Sequence, residues 1–180
     1  MGILGVKVVA VVGSKKSGKT TVIEALIREL SKRGYKIAAV KHIPEENFTI
    51  DTAGKDTWRF KMSGANMVIS IAPNEMTVIE NIDTSTLSLE QILEKCKGID
   101  LVLMEGFRNI LQKNEKIPKI VSVKSAEEAL EALKTFNPII AFTGPYKPES
   151  LNLNIPYVDV LKNEKLIADM VEDAVRRLGA

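Results

Sequence analysis

The run Gly13-Ser14-Lys15-Lys16-Ser17-Gly18-Lys19-Thr20 matches the pattern G-x-x-x-x-G-K-[ST] at every fixed position. It constrains the fold more than any other stretch of the chain. A phosphate loop of this kind needs a strand before it and a helix behind it; Val6–Val12 is an apolar run, and Lys19–Arg33 has helical apolar spacing. The glycines let successive N–H groups turn inward, and the helix start adds partial positive charge, so the expected guest is a nucleoside triphosphate. Lys19 is placed to reach the β- and γ-phosphates, the Thr20 hydroxyl to ligate Mg²⁺, and Lys15 and Lys16 add charge at the mouth.

The remaining elements continue the same theme. Strands are expected at Val6–Val12, Lys36–Lys41, Met67–Ile71, Met76–Glu80, Leu101–Met104, Lys119–Val123, Ile139–Phe142 and Tyr157–Val160. Helices are expected at Lys19–Arg33, Gly54–Ser63, Leu89–Cys96, Ala126–Leu133 and Glu164–Leu178. Runs such as VVAVV and LVLM call for burial on both faces, which means a mainly parallel sheet covered by helices. The turn Ala72-Pro73-Asn74-Glu75 joins two strands into an antiparallel hairpin at a sheet edge. The expectation is a three-layer α/β P-loop fold in a single domain, residues 1–180, which fits the usual domain size.

Composition narrows the function. Net charge is +2 with 27% charged residues, too little asymmetry for a polyanion-binding surface, so no nucleic-acid partner is expected. The lone Cys96 excludes an intramolecular disulfide and a four-cysteine zinc site, and reads as a small apolar residue. No apolar stretch approaches membrane-spanning length, and Met1–Val12 reads as first strand rather than leader, so a cytoplasmic location without a membrane is expected.

In a parallel sheet of this type, residues just past the strand C-termini gather at the ligand. Glu105, at the end of LVLME, is a candidate to hold a metal-bound water or orient an attacking one, an ordinary post-strand glutamate being the alternative. Lys41 and the only histidine, His42, follow the second strand, and His42 is either a phosphate or substrate contact or a structural hydrogen-bonder. The polar loop from His42 to Ala53 suits a segment that responds to γ-phosphate; Asp51 would be its metal-side or water-positioning carboxylate, or else belongs to a helix start. Lys55 is a candidate phosphate contact, or a solvated partner of Asp56. Trp58 and Phe60 read as packing residues.

Three segments together, GSKKSGKTT, VKHIPEE with DTAGKDTWR, and LVLMEGFR, resemble the molybdopterin-guanine dinucleotide biosynthesis protein B (MobB) family over nearly the whole chain. The resemblance implies a GTP-binding, weakly GTP-hydrolysing homodimer that acts in molybdenum-cofactor biosynthesis, beside the guanylyltransferase (MobA) that attaches GMP to molybdopterin. By position it implies that Gly13, Ser17, Gly18, Lys19, Thr20 and Thr21 hold phosphates and Mg²⁺, with His42, Asp51, Gly54, Lys55, Asp56 and Glu105 forming the rest of the polar site; Ser14, Lys15 and Lys16 complete the expected nucleotide-binding loop. Lys19, Asp51 and Glu105 are then the catalytic set, and Thr20, Asp51 and Glu105 the Mg²⁺ set. Where family members often carry further histidines after the Lys-His pair, this chain has Pro44, Glu45 and Glu46.

Guanine selectivity has no signature here: an N-K-x-D arrangement is absent, and Thr143-Gly144-Pro145 is only positioned where a base-contacting loop could lie. Two other readings share the phosphate loop. A small-molecule kinase would need a lid with arginines, for which Arg108, Lys113 and Lys116 are meagre. A metal-delivery GTPase would need soft or imidazole ligands, and one Cys and one His per chain are few.

Overall fold

A computed structural model describes residues 5–112, 114–146 and 154–179. Contacts divide the chain into two compact units, residues 1–42 with 89–180, and residues 43–88.

The first unit holds five strands, β1 (Lys7–Gly13), β2 (Ile37–Lys41), β5 (Leu101–Glu105), β6 (Lys119–Ser122) and β7 (Ile139–Thr143). They lie in the order β2-β5-β1-β6-β7, and every pairing is parallel. Alternation along the strands sends side chains to opposite faces, and each face meets its own helices. Val8, Ala10 and Val12 of β1 join Val102 and Met104 of β5 in a cluster with α3 (Leu89–Glu94), α4 (Arg108–Leu111) and α5 (Ala126–Thr135). Val9 and Val11, with Leu101 and Leu103, pack instead against α1 (Lys19–Lys32) and α6 (Glu164–Gly179). The expected three-layer α/β architecture is therefore present. Cys96 is buried in the first cluster, and burial pushes its thiol pKa up, as expected of a small apolar residue.

Arg33 ties the second layer together, bonding Glu29 of α1 at 3.0 Å and Asp169 and Glu172 of α6 at 2.6 and 2.9 Å. Shared acceptors on two helices make this a network rather than a lone surface pair.

The second unit contains α2 (Asp56–Met62), a hairpin of β3 (Met67–Ala72) and β4 (Glu75–Glu80), and a 3₁₀ turn at Thr84–Thr86. The hairpin is antiparallel as expected, but it forms its own two-stranded sheet and does not edge the parallel one. Trp58 is half-buried while Phe60 is exposed, so only the first of these aromatics packs within the chain. Tyr157–Val160 is not a strand: it makes one parallel bridge, Tyr157 to Phe142, before the chain turns into α6. Pro156 lacks a backbone donor and Asp159 starts a turn, so the pairing cannot extend.

Lys119 is a charged residue at the start of a central strand, and it is fully buried. Its ammonium donates to the carbonyls of Asn114 and Asn137, tying the loop before β6 to the loop before β7. Burial lowers its pKa to about 8, with Glu115 opposing. The unfolded chain keeps that proton to roughly pH 10.4, so between about pH 8 and 10 the unfolded state holds more protons and this group makes stability rise with pH. In Lys119→Met that contribution should vanish. Urea midpoints at pH 7.5 and 10 for both proteins check it, equal changes in the two being the contrary result.

Candidate functional site

All five parallel strands present a polar or loop-forming residue at their C-terminal edge. Register places Glu105 beside Val11 on one side and Lys41 on the other, and Ser122 beside Gly13 and Thr143. The phosphate loop leaves β1 at the centre of this edge. Gly13 has φ +149°, and a methyl group there would strike the Ser122 carbonyl and come within 2.7 Å of the Ser17 hydroxyl. Ser122 Oγ in turn donates to the Ser17 carbonyl, so β6 clamps the loop from beneath.

The loop delivers Gly18 in a left-handed conformation as the N-cap of α1. No side chain caps this helix and its first turn carries no acidic residue, so its orphan N–H groups and positive pole are left for an external anion. The hydroxyls of Ser14 and Ser17 are buried without partners, as a group that donates to a ligand would be. Lys19 Nζ lies over the loop, 2.6 Å from the Ser14 carbonyl. Burial lowers its pKa, the Glu105 carboxylate opposing and Lys41 and Lys124 reinforcing. A bound triphosphate would relieve this crowding of cations.

Glu105 is the electrostatic centre of the edge. Thr20 Oγ1 lies 3.3 Å from its Oε2, and Lys41 Nζ lies 3.3 Å from its Oε1. A hydroxyl and a carboxylate held together are the hard oxygen donors that a phosphate-loop Mg²⁺ takes from protein, the rest being phosphates and waters. The donor set fits that ion. Among the described residues no group of three or more His, Cys, Asp and Glu side chains could hold a metal alone.

Comparison with known proteins matches residues 8–144, more than half of the chain, to the family model for molybdopterin guanine dinucleotide synthesis protein B, MobB. The chain belongs to the MobB family. A molybdopterin-guanine dinucleotide biosynthesis adapter protein from Haemophilus influenzae is 36% identical over 118 residues, 64% of this chain and 62% of that protein. A relative from Methanocaldococcus jannaschii is 38% identical over 123 residues, 67% of this chain and 49% of its own. The chain thus spans about half to three fifths of the length of these curated relatives. The crystal structure of Bacillus subtilis MobB superposes with TM-score 0.70 at 29% identity, over 91% of this chain and 97% of that one.

In this MobB-family chain the loop residues Gly13 to Thr21, Lys41, His42 and Glu105 belong to the first unit, whereas Asp51, Gly54, Lys55 and Asp56 belong to the second. His42 is exposed; its N–H donates to the Glu105 carbonyl at 2.9 Å, and its ring lies 5.3 Å from that of Phe107. Gly106, at φ +90°, lets the backbone pass close to His42, whose Cβ would lie 3.2 Å from a methyl at that position. In the second unit Asp51 Oδ1 accepts from the Thr52 N–H and the Thr57 hydroxyl at 2.8 and 2.9 Å, so it does brace the start of α2. Its other oxygen is buried without a partner. Lys55 is the exposed N-cap position of α2, and Asp56 faces Arg59 at 3.5 Å.

Two residues of the edge belong to no motif of the sequence. Ser122 ends a short strand inside IVSV, and Lys124 reaches the Lys15 carbonyl at 3.1 Å. Serine at the last position of an otherwise apolar buried strand is the one signal that could have found the first.

Gly13→Ala should cost roughly 2–4 kcal/mol, because the clash is with main chain that cannot rotate away. Thermal unfolding checks it, and an unchanged melting temperature would mean that β1 and β6 separate freely.

Proposed function

We propose that this chain is a nucleotide-dependent adapter of molybdopterin guanine dinucleotide synthesis, binding Mg²⁺-GTP in the phosphate loop and hydrolysing it slowly. The observation that carries the reading is the Thr20–Glu105 pair beside an uncapped helix start, in a chain of the MobB family. Gly13 to Thr21 would wrap the phosphates, and Lys19 would leave the Ser14 carbonyl for the β- and γ-oxygens. Thr20 and Glu105 would hold the Mg²⁺, which neutralises charge on the leaving phosphates. Hydrolysis would break the bond between the γ-phosphorus and the β-γ bridging oxygen as water adds, releasing GDP and phosphate, with Glu105 orienting the water. Asp51, Lys55 and His42 are assigned the response of the chain to nucleotide.

The kinase alternative gains nothing from Arg108, which is paired with Glu131 at 2.5 Å and lies 5.4 Å from the Phe136 ring centre. Among the described residues no helix is long and apolar enough to cross a membrane. A cytoplasmic location is proposed from the biosynthetic role alone. The partners proposed are the guanylyltransferase and molybdopterin or its guanine dinucleotide, by family.

A second copy of the chain is proposed as a further partner. Facing pairs Ile69–Val78 and Ile71–Met76 share one side of the hairpin and are exposed, Ile71 by 80%. The opposite side buries Val68. A two-stranded sheet with a bare apolar face is covered well by its own symmetry mate.

Two measurements test these proposals. Lys19→Ala should weaken Mg²⁺-GTP binding by roughly 100-fold in calorimetry, and unchanged affinity would remove the loop from the account. Ile71→Lys should convert a dimer to a monomer in light scattering, whereas a persistent dimer would place the interface elsewhere.

A further inference from the structure

Beside the phosphate loop the first unit opens a cavity of about 270 Å³, whose walls include Gly18, Thr21, Thr143, Pro145, Asp159 and Leu161. It begins where the triphosphate would end and is near the lower bound of roughly 300 Å³ for small-ligand sites. Resting on the nucleotide reading above, we propose that this cavity receives the base, and that the Asp159 carboxylate selects guanine.

The chemistry is one-sided. An ionised carboxylate only accepts hydrogen bonds, and guanine offers two adjacent donors, N1–H and the N2 amino group, on its pairing edge. Adenine turns a lone pair and a C–H to the same place, so a carboxylate there meets repulsion and loses its water without replacement. Among the described residues of the cavity wall Asp159 is the one acidic side chain.

Local structure fixes that carboxylate without exhausting it. Oδ1 accepts from the Leu161 N–H at 3.2 Å, and Oδ2 faces Lys162 Nζ at 3.4 Å. Lys162 is 80% exposed, so this pair is a weak surface contact. Two carboxylate oxygens can accept about four hydrogen bonds, which leaves lone pairs for a ligand. The backbone is equally fixed, since the Asp159 carbonyl accepts from the N–H groups of Lys162 and Asn163 at 3.1 and 2.9 Å. A second feature of the wall is independent of Asp159: the Thr143 hydroxyl is fully buried and has no partner. That hydroxyl lies beneath the wall rather than on its open surface, so it marks polar, unsatisfied packing behind Asp159.

A turn-stabilising role alone would be kept by asparagine, whose carbonyl also accepts from Leu161. Reading of the base would change, because asparagine pairs an acceptor with a donor and suits xanthine, which carries oxygen where guanine has its N2 amino group. Calorimetric titration of Mg²⁺-loaded wild type and Asp159→Asn with GTP, ITP, ATP and XTP separates the two. Wild type should bind GTP about tenfold more tightly than ITP, which lacks the amino group, and about 100-fold more tightly than ATP. Asp159→Asn should lose at least tenfold for GTP and bind XTP in preference.

Equal wild-type affinities for GTP, ITP and ATP, or an Asp159→Asn protein that still prefers GTP to XTP, would overturn the base assignment while leaving the phosphate loop intact. Failure of every triphosphate to bind would bring down the nucleotide reading and this inference with it. Should the variant not fold, the GTP–ITP difference on wild type decides alone.

Discussion

Main-chain contact between the ends of β1 and β6 governs the site. Gly13 and Ser122 are register partners, and they approach so closely that no side chain fits between them. That contact turns the chain out of β1 at the height where α1 must begin, and the Ser122 hydroxyl then holds the turn through the Ser17 carbonyl. The helix start, the two orphaned serine hydroxyls and Lys19 are all consequences of this geometry. A loop built from backbone that cannot relax presents its donors at no further entropic cost when an anion arrives.

Around this fixed cradle the charges are deliberately unbalanced. Lys41 and Lys124 act on Lys19 through space, and Glu105 opposes them from the neighbouring strand while pairing with Lys41. Glu105 is also held by position, since Val11 and Lys41 flank it in register and its carbonyl accepts from His42. A carboxylate between two lysines and a threonine hydroxyl can exchange one cation for another without moving. The same edge therefore suits both a cationic side chain and a divalent ion, which would displace Lys41 toward the phosphates.

Much of this arrangement is legible along the chain because the informative residues are local. The fixed positions of GSKKSGKT set a strand, a turn and a helix in order, and the double-sided burial of VVAVV and LVLM requires helices on both faces. What the sequence hides is proximity between distant segments. Ser122 is one serine among many until β6 pairs with β1, and Asp159 is unremarkable until the turn before α6 brings it beside the loop. The hairpin shows the other limit: alternation specifies two antiparallel strands, but not whether their edges join a larger sheet. The separation of residues 43–88 as a unit follows from contacts that no window of sequence contains.

The segment Tyr157–Val160 carries the most instructive departure. Its apolar pattern is that of a strand, and Val158 and Val160 are buried as a strand's would be. Yet after the Tyr157–Phe142 bridge, and the bond from Val158 N–H to the Phe142 carbonyl, the pairing stops. A sixth parallel strand would have pointed its residues alternately into the two layers and continued the ladder past Thr143. Because it stops, the Asp159 carbonyl is free to take up Lys162 and Asn163 and begin the turn into α6, and its carboxylate is pinned by Leu161. The valines anchor the turn in the core while the acid between them stays on the cavity wall. The same alternation that favours a strand thus supplies a rigid mount for a polar group, once a proline on one side and an aspartate turn on the other end the ladder.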